Sequence, residues 1–277
     1  MASLDRPRRL VVNADDFGRS HSINQAVVQA HTEGLLTTAS LMVNGAAAAE
    51  AVALAREHPR LGVGLHLSLV CARSTLKPTE IPGLVDHRFQ FSNHPVWAGV
   101  RYFFHRGLRW QLRHEIAAQV QKFQATGLPM DHLNGHLNLH LHPTVFGLLW
   151  RHAEGWGIRG LRLTRDPFWL NARLASGRWA YRISHALVFN LLAAASRRRL
   201  LARGIKYTRQ VFGLLQNGQV TEAFLLRLLP RLPPGDTELY CHPSLDEARP
   251  ELEALLSPSV RALARELNLA TIRYQDL

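Results

Sequence analysis

Acidic residues are scarce in this sequence: 21 Asp and Glu stand against 33 Lys and Arg, a formal charge of +12 over 277 residues. Cysteine is scarcer still, with only Cys71 and Cys241. Two thiols exclude a disulfide framework, and a reducing compartment is the default. Charged residues of both signs make up 19% of the chain against 47% hydrophobic. That balance excludes a disordered polymer, which has too little apolar surface to offset its chain entropy. Long apolar runs are missing as well. Ala186 to Ala195 is interrupted by Asn190, whereas a membrane span needs about twenty apolar residues. The basic start Met1–Leu10 runs into Asn13 and Asp15 before any secretory core can form, so no export signal is expected. The expected location is cytoplasmic, at most at the inner face of the membrane. A Gly-x-Ser-x-Gly elbow is also lacking, which argues against a serine nucleophile.

What is present reads as alternating strand and helix. Arg9–Ala14 is strand-like, and Ser20 or Ser22 can cap a helix that Gly34 ends. Leu35–Val43 and Leu61–Val70 read as strands on either side of an alanine-rich helix, Ala46–Glu57. A long loop over 71–95 leads into a helical stretch over 96–126, broken near Gly107. Further strands are expected at 129–134, 160–163, 205–215, 238–241 and 270–274, with helices at 144–156, 222–229 and 251–267. Such alternation argues for a parallel α/β sheet, open or closed into a barrel, and α/β barrels run to about 250 residues as one unit. One domain over 1–277 is therefore expected. The positive charge is not spread evenly: residues 151–210 carry twelve Arg and one Lys against only Glu154 and Asp166, so one segment holds nearly the whole excess.

Four polar clusters fall at the C-terminal ends of expected strands, the edge where ligands bind in parallel folds. These are Asn13-Ala-Asp15-Asp16, Gly64-Leu-His66, Asn134-Gly-His136 with His140 and His142 beyond, and Cys241-His242. Paired carboxylates where a strand turns can divide labour, one holding a metal and the other acting on water as a base; an acid pair at a helix N-terminus is the lesser alternative. His66 taken alone in an apolar strand is more often a hydrogen-bonded core histidine than a ligand. Four histidines within residues 132–142, interleaved with leucines, favour a metal set of one Asp and two His with open positions.

The stretches Leu10–Gly18, Leu36–Gly45, Gly64–Leu67, His132–Pro143 and Cys241–Pro243 resemble the successive motifs of the YdjC-like carbohydrate deacetylases. Through Ile81–Asp86, Ala98–Phe104, Thr126–Pro129 and Leu229–Gly235 the chain most resembles the hopanoid-biosynthesis-associated branch. The resemblance implies a distorted TIM-like (β/α) barrel and a hydrolase that removes acetyl groups from N-acetylated sugars. It further implies one divalent metal ion, magnesium or zinc, on Asp16, His66 and His136, with Asp15 as base and His242 as acid. His140, Asn138, Arg162 and Arg165 would lie near the substrate, an amino sugar expected to be lipid-linked. The chitooligosaccharide-deacetylating relatives carry Asp-Ser-His-x-His-x-His where this chain has Asn134-Gly-His136-Leu-Asn138-Leu-His140. Two side chains around the expected metal thus differ, which bears on ligand support and sugar specificity.

The Arg-rich stretch reads as a helical insertion over 166–204. Within it, residues 178–203 mix apolar side chains with Arg182, Arg197, Arg198, Arg199 and Arg203. This composition suits either a helix in an anionic membrane interface or one packed on the barrel with a solvated Arg face. Nucleic acid is not an expected partner, because no aromatic stacking platform or known motif accompanies the charge. Other readings are a non-catalytic membrane-associated partner of a lipid-modifying complex, a deacetylase of soluble chitooligosaccharides, and a metal-dependent hydrolase of another amide or phosphoester.

Overall fold

The structure, a computed structural model, describes residues 7–277. The basic start read above, Met1 to Arg6, lies outside them. The first half comprises β1 (Arg8–Phe17), α1 (His21–Glu33), β2 (Thr38–Leu41), α2 (Ala48–Glu57), β3 (Gly62–Leu67), α3 (Pro95–Phe104), α4 (Leu108–Gln124) and β4 (Leu133–Gly135). A tight turn of helix over His136–Leu141 leads into α5 (Pro143–His152), α6 (Phe168–Leu174), α7 (Trp179–Ala202) and β5 (Gln210–Phe212). Then follow α8 (Glu222–Leu228), β6 (Gly235–Cys241), α9 (Arg249–Leu256), α10 (Pro258–Glu266) and β7 (Ala270–Thr271).

All strand pairings are parallel, in the order β4-β3-β2-β1-β6-β5, with β7 beside the start of β1. Backbone bonds carry on past β4: Arg162 N donates to Leu133 O, Lys206 N to Arg159 O, and Val211 N to Arg165 O. The sheet therefore curls round from β4 to β5 through residues 159–165, and the expected distorted TIM-like barrel is what forms. Apart from the exposed β7, the strands bury both faces; β3, for example, is buried at all six positions. That is why it reads as a near-continuous apolar run.

Several boundaries differ from expectation, two of them for clear reasons. The helix expected over 251–267 is two helices, because Pro258 has no N–H to continue α9 and instead opens α10, whose first turn Ser257 caps through Val260 N. Strand β1 does not stop at Ala14 but continues through both aspartates to Phe17. By contrast Ser20 caps α1 and Gly34 closes it, as read from the sequence.

The outer surface is uneven. Fifteen large hydrophobic side chains are exposed among the described residues, and thirteen lie in 87–114 or 167–221, stretches that contain no Asp or Glu. They include Val96, Trp97, Phe103 and Phe104 on α3 and Trp179, Ile183, Leu187 and Leu191 on α7. Both helices pack on α5, and α7 also touches the tight turn that follows β4. No helix among the described residues is long and apolar enough to cross a membrane.

Candidate metal centre

In a regular strand Asp15 and Asp16 would point to opposite faces of the sheet. Here β1 pairs Ala14 with Ala39 and Phe17 with Leu41, so β1 spends one more residue than β2 over the same span. The extra residue is a β-bulge at the aspartates, and bulges re-aim side chains in this way. Asp16 takes up the strain, with φ of +63°; a non-glycine residue in that region costs about 1–3 kcal/mol and persists where the surroundings over-determine it. Gly18, at φ +90° and packed against Ala48 and Met42, lets the chain turn directly beneath.

The bulge brings Asp16 Oδ1 to 3.3 Å from His66 Nε2, at the end of β3, and 3.1 Å from His136 Nδ1, just past β4. Donor atoms of all three residues lie within 4.8 Å of one another. Their hydrogen-bond partners show that the set fits a cation. The Asn134 amide nitrogen donates to Asp15 Oδ1 at 3.0 Å and Ser40 Oγ at 2.8 Å. Its oxygen therefore faces His66 Nδ1 at 2.7 Å, and that nitrogen carries the imidazole proton. The lone pair of His66 Nε2 is left facing a carboxylate oxygen. Two acceptors at that distance repel unless a positive charge, proton or metal, sits between them. One carboxylate oxygen and two imidazole nitrogens, with His136 partly open to solvent, form a donor set with room for further ligands. Arg19 Nη1, 3.0 Å from Asp16 Oδ2, turns the second carboxylate oxygen away from the cluster.

Asp15 lies beside this set and is firmly held, with Oδ2 accepting a single hydrogen bond. Arg162 holds both of its oxygens, and Asn13 and Asn134 donate to Oδ1 at 2.8 and 3.0 Å. Burial pushes the Asp15 pKa up, but Arg162, His66 and His242 outweigh it and hold the group well below the ordinary carboxylate range. Burial likewise opposes ionisation of Asp16, and the adjoining His136 and His66 rings outweigh it, so its pKa lies well below the ordinary carboxylate value. For His66, burial lowers the pKa while Asp15 and Asp16 raise it, with a net rise. His242, at the end of β6, places Nε2 4.0 Å from Asp15 Oδ2 and Nδ1 3.9 Å from Glu251 Oε2, with its ring 30% exposed. It is thus the half-open imidazole of the site.

The remaining expected residues have varied positions. Arg162 is wholly buried between Asp15, Glu238 and the ring of Tyr240. Asn138 is buried too, accepting from Thr164 Oγ1 at 2.7 Å and donating to Tyr240 OH at 3.3 Å. His140 is enclosed and donates Nε2–H to Arg162 O at 2.9 Å; burial pushes its pKa down to about 3, so it stays neutral. Arg165 is exposed on the outer face of the sheet, against α7. Of the four clustered histidines only His136 joins the cation set. His132 lies beneath it, between Asp131 and Ser40, and His142 packs against Tyr102 and Phe103. Sequence reasoning missed Ser40, Glu238, Tyr240 and Glu251, whose roles depend on contacts far apart in the chain. For Asn134 the signal existed, in the departure from the relatives' motif.

A family model described as YdjC-like protein matches residues 9–266. A carbohydrate deacetylase of Brevibacillus brevis is 37% identical over 153 residues, covering 54% of this chain and 57% of that protein. A chitooligosaccharide deacetylase of Salmonella schwarzengrund is 29% identical over 286 residues, 98% of this chain and 99% of that protein. The matched region thus spans little more than half the length of the Brevibacillus relative. Among solved structures, a protein of Enterococcus faecalis V583 described in terms of cellobiose-phosphate cleavage superposes with a TM-score of 0.76 at 21% identity, over 98% of both chains. That likeness is one of fold.

Proposed function

The chain belongs to the YdjC-like protein family, and from that premise we propose that it is a metal-dependent carbohydrate N-deacetylase acting on an N-acetylated amino sugar. The observation that carries the reading is the lone pair of His66 Nε2 aimed at Asp16 beside an ionised Asp15. Asp16, His66 and His136 would hold the ion, and two imidazoles with one carboxylate suit zinc better than magnesium, which favours all-oxygen shells. A divalent ion bound there supplies Lewis acidity toward the acetamide carbonyl and a more acidic water. Asp15 takes the proton of the attacking water, and its grip by Arg162 holds it oriented and charged at every working pH. His242, half-open and backed by Glu251, delivers a proton to the departing amine. Acetate and the free amino sugar leave, and no covalent intermediate is needed.

The finer reading concerns the substrate. A lipid-linked amino sugar, as on a glycosylated hopanoid, draws support from the exposed apolar faces of α3 and α7, which lie in acid-free stretches around the helix packed on the site's edge. Such faces suit an anionic membrane surface, with Trp97, Trp110, Trp169 and Trp179 as interfacial aromatics. On this reading 1–277 is one catalytic domain and 166–204 is its helical arm. Soluble chitooligosaccharides are the alternative, favoured by the name of the Salmonella relative matched over its full length.

The test is acetate release by the zinc-loaded protein from N-acetylglucosamine oligomers and from an N-acetylglucosaminyl lipid in vesicles. Asp15→Asn should keep its metal yet lose about 10²–10⁴-fold in turnover, whereas Asp16→Asn should lose the metal. Release from neither substrate, or an Asp15→Asn variant of full activity, would overturn the assignment.

A further inference from the structure

Behind the strand segment that carries Arg162 is a second, separate feature. Arg162 points into the barrel, so Leu163 and Arg165 alternate to the outer face, where α7 packs. Between α7, residues 163–165, residues 207–210 and the Pro233-Pro234 corner lies a cavity of about 610 Å³. Four arginines line it: Arg165, Arg197, Arg198 and Arg209. They come from three separate chain segments. Among the described residues no carboxylate lines the cavity and none of the four arginines makes a salt bridge. Among the described residues only Arg197 of the four has an engaged guanidinium, its Nε donating at 3.2 Å to the hydroxyl of Tyr207, another residue of the cavity lining.

Four like charges brought to one space by the fold repel one another, and the stretch 167–221 has no acid to relieve them. Guanidinium forks match the oxygens of tetrahedral oxyanions, and a charge of this size calls for an anion carrying more than one negative charge. The volume exceeds that of a lone ion and falls within the range of small-molecule sites. Leu163, Ala193, Leu201 and Pro234 offer an apolar wall to the rest of such a ligand.

We propose that this cavity is a binding site for a phosphate-bearing ligand, distinct from the metal centre on the other face of the sheet. The phosphate can belong to a soluble phosphoester or to a lipid headgroup, since both present the same group to the arginines. The inference does not depend on the deacetylase reading, because binding is measured directly and without turnover.

The experiment is isothermal titration of the full chain with inorganic pyrophosphate and, separately, with monomeric dihexanoyl phosphatidic acid. Both are titrated into the native protein, into Arg198→Gln/Arg209→Gln, and into Arg106→Gln/Arg109→Gln, which removes the same charge from exposed positions around the start of α4. Neither double variant breaks a hydrogen bond or ion pair seen among the described residues, so the fold is kept. Binding should weaken at least about tenfold in the cavity variant and hold in the α4 variant. Pyrophosphate binding with that pattern supports a soluble ligand; the pattern with phosphatidic acid alone supports a lipid headgroup. Absence of binding by both probes, or equal weakening in both variants, overturns the site.

Discussion

Arg162 grips both carboxylate oxygens of Asp15, with Nη1 2.7 Å from Oδ2 and Nη2 2.9 Å from Oδ1, while its Nε donates to Glu238 at 2.8 Å. One cation thus serves two buried carboxylates. Arg162→Met leaves both without their counter-charge, and breaking a buried pair in this way costs about 3–5 kcal/mol. Urea denaturation of the variant should show that loss, and adding Glu238→Gln should recover part of it. A stability equal to that of the native protein would mean the ion pair is no structural tie.

Asn134 sets the proton of His66 through a 2.7 Å bond to Nδ1. Replacing it with Leu keeps the branched shape but removes the amide, which frees the ring to turn or change tautomer. Loss of such a supporting contact lowers metal affinity by about 10–100-fold. Competition with a chromogenic chelator measures this directly, and an unchanged affinity would show that His66 is oriented by packing alone.

The candidate site was partly legible because its chemistry is carried by residue types that are conspicuous in apolar strands. Asp15, Asp16, His66 and His136 stand out against Val12, Phe17, Leu65 and Leu67 on the sequence alone. The bulge did not show, since it is a relation between β1 and β2 rather than a property of either. Arg162, in Leu-Arg-Leu-Thr-Arg, resembles Arg165 in sequence, yet one is buried and the other exposed, because strand alternation sends them to opposite faces. His140 and Asn138 were harder still. Leu137 and Asn138 adopt left-handed φ of 51° and 56°, so the chain after His136 follows neither a strand nor a helix period, and which histidines face the site cannot be counted out. The barrel was more readable, since alternating elements and their caps are local signals.

The exposed aromatics of α3 and α7 should act together if they meet a membrane. Trp97→Ser and Phe104→Ser remove side chains that are 60% and 71% exposed, so folding should be little affected; Trp179→Ser also removes the ring over which Arg182 stacks, and a small loss of stability is expected there. Binding to phosphatidylglycerol vesicles should weaken by up to about tenfold per aromatic removed. Co-sedimentation reads this, with phosphatidylcholine vesicles as the uncharged comparison. Equal pelleting of native and triple variant would remove these helices from any membrane role.

Asp166, at the start of the basic arm, gives stability a pH dependence of unusual sign. It is buried, accepts from Asn171 Nδ2 and Leu215 N, and burial pushes its pKa from 3.8 up to about 7. A raised carboxyl pKa means that the folded chain holds the proton more tightly than the unfolded one. The stability this group contributes is therefore full below pH 3.8 and is lost as pH rises towards 7, at up to about 1.4 kcal/mol per pH unit. Asn at this position mimics the protonated acid: its oxygen keeps the Leu215 bond, and its amide can donate to Asn171 Oδ1, which has no partner among the described residues. Asp166→Asn should match the native protein at roughly pH 4 and exceed it above pH 7, so the two denaturation midpoints should diverge as pH rises. Parallel midpoints across that range would show that Asp166 is ionised throughout and that its neighbours, Arg182 included, compensate the charge.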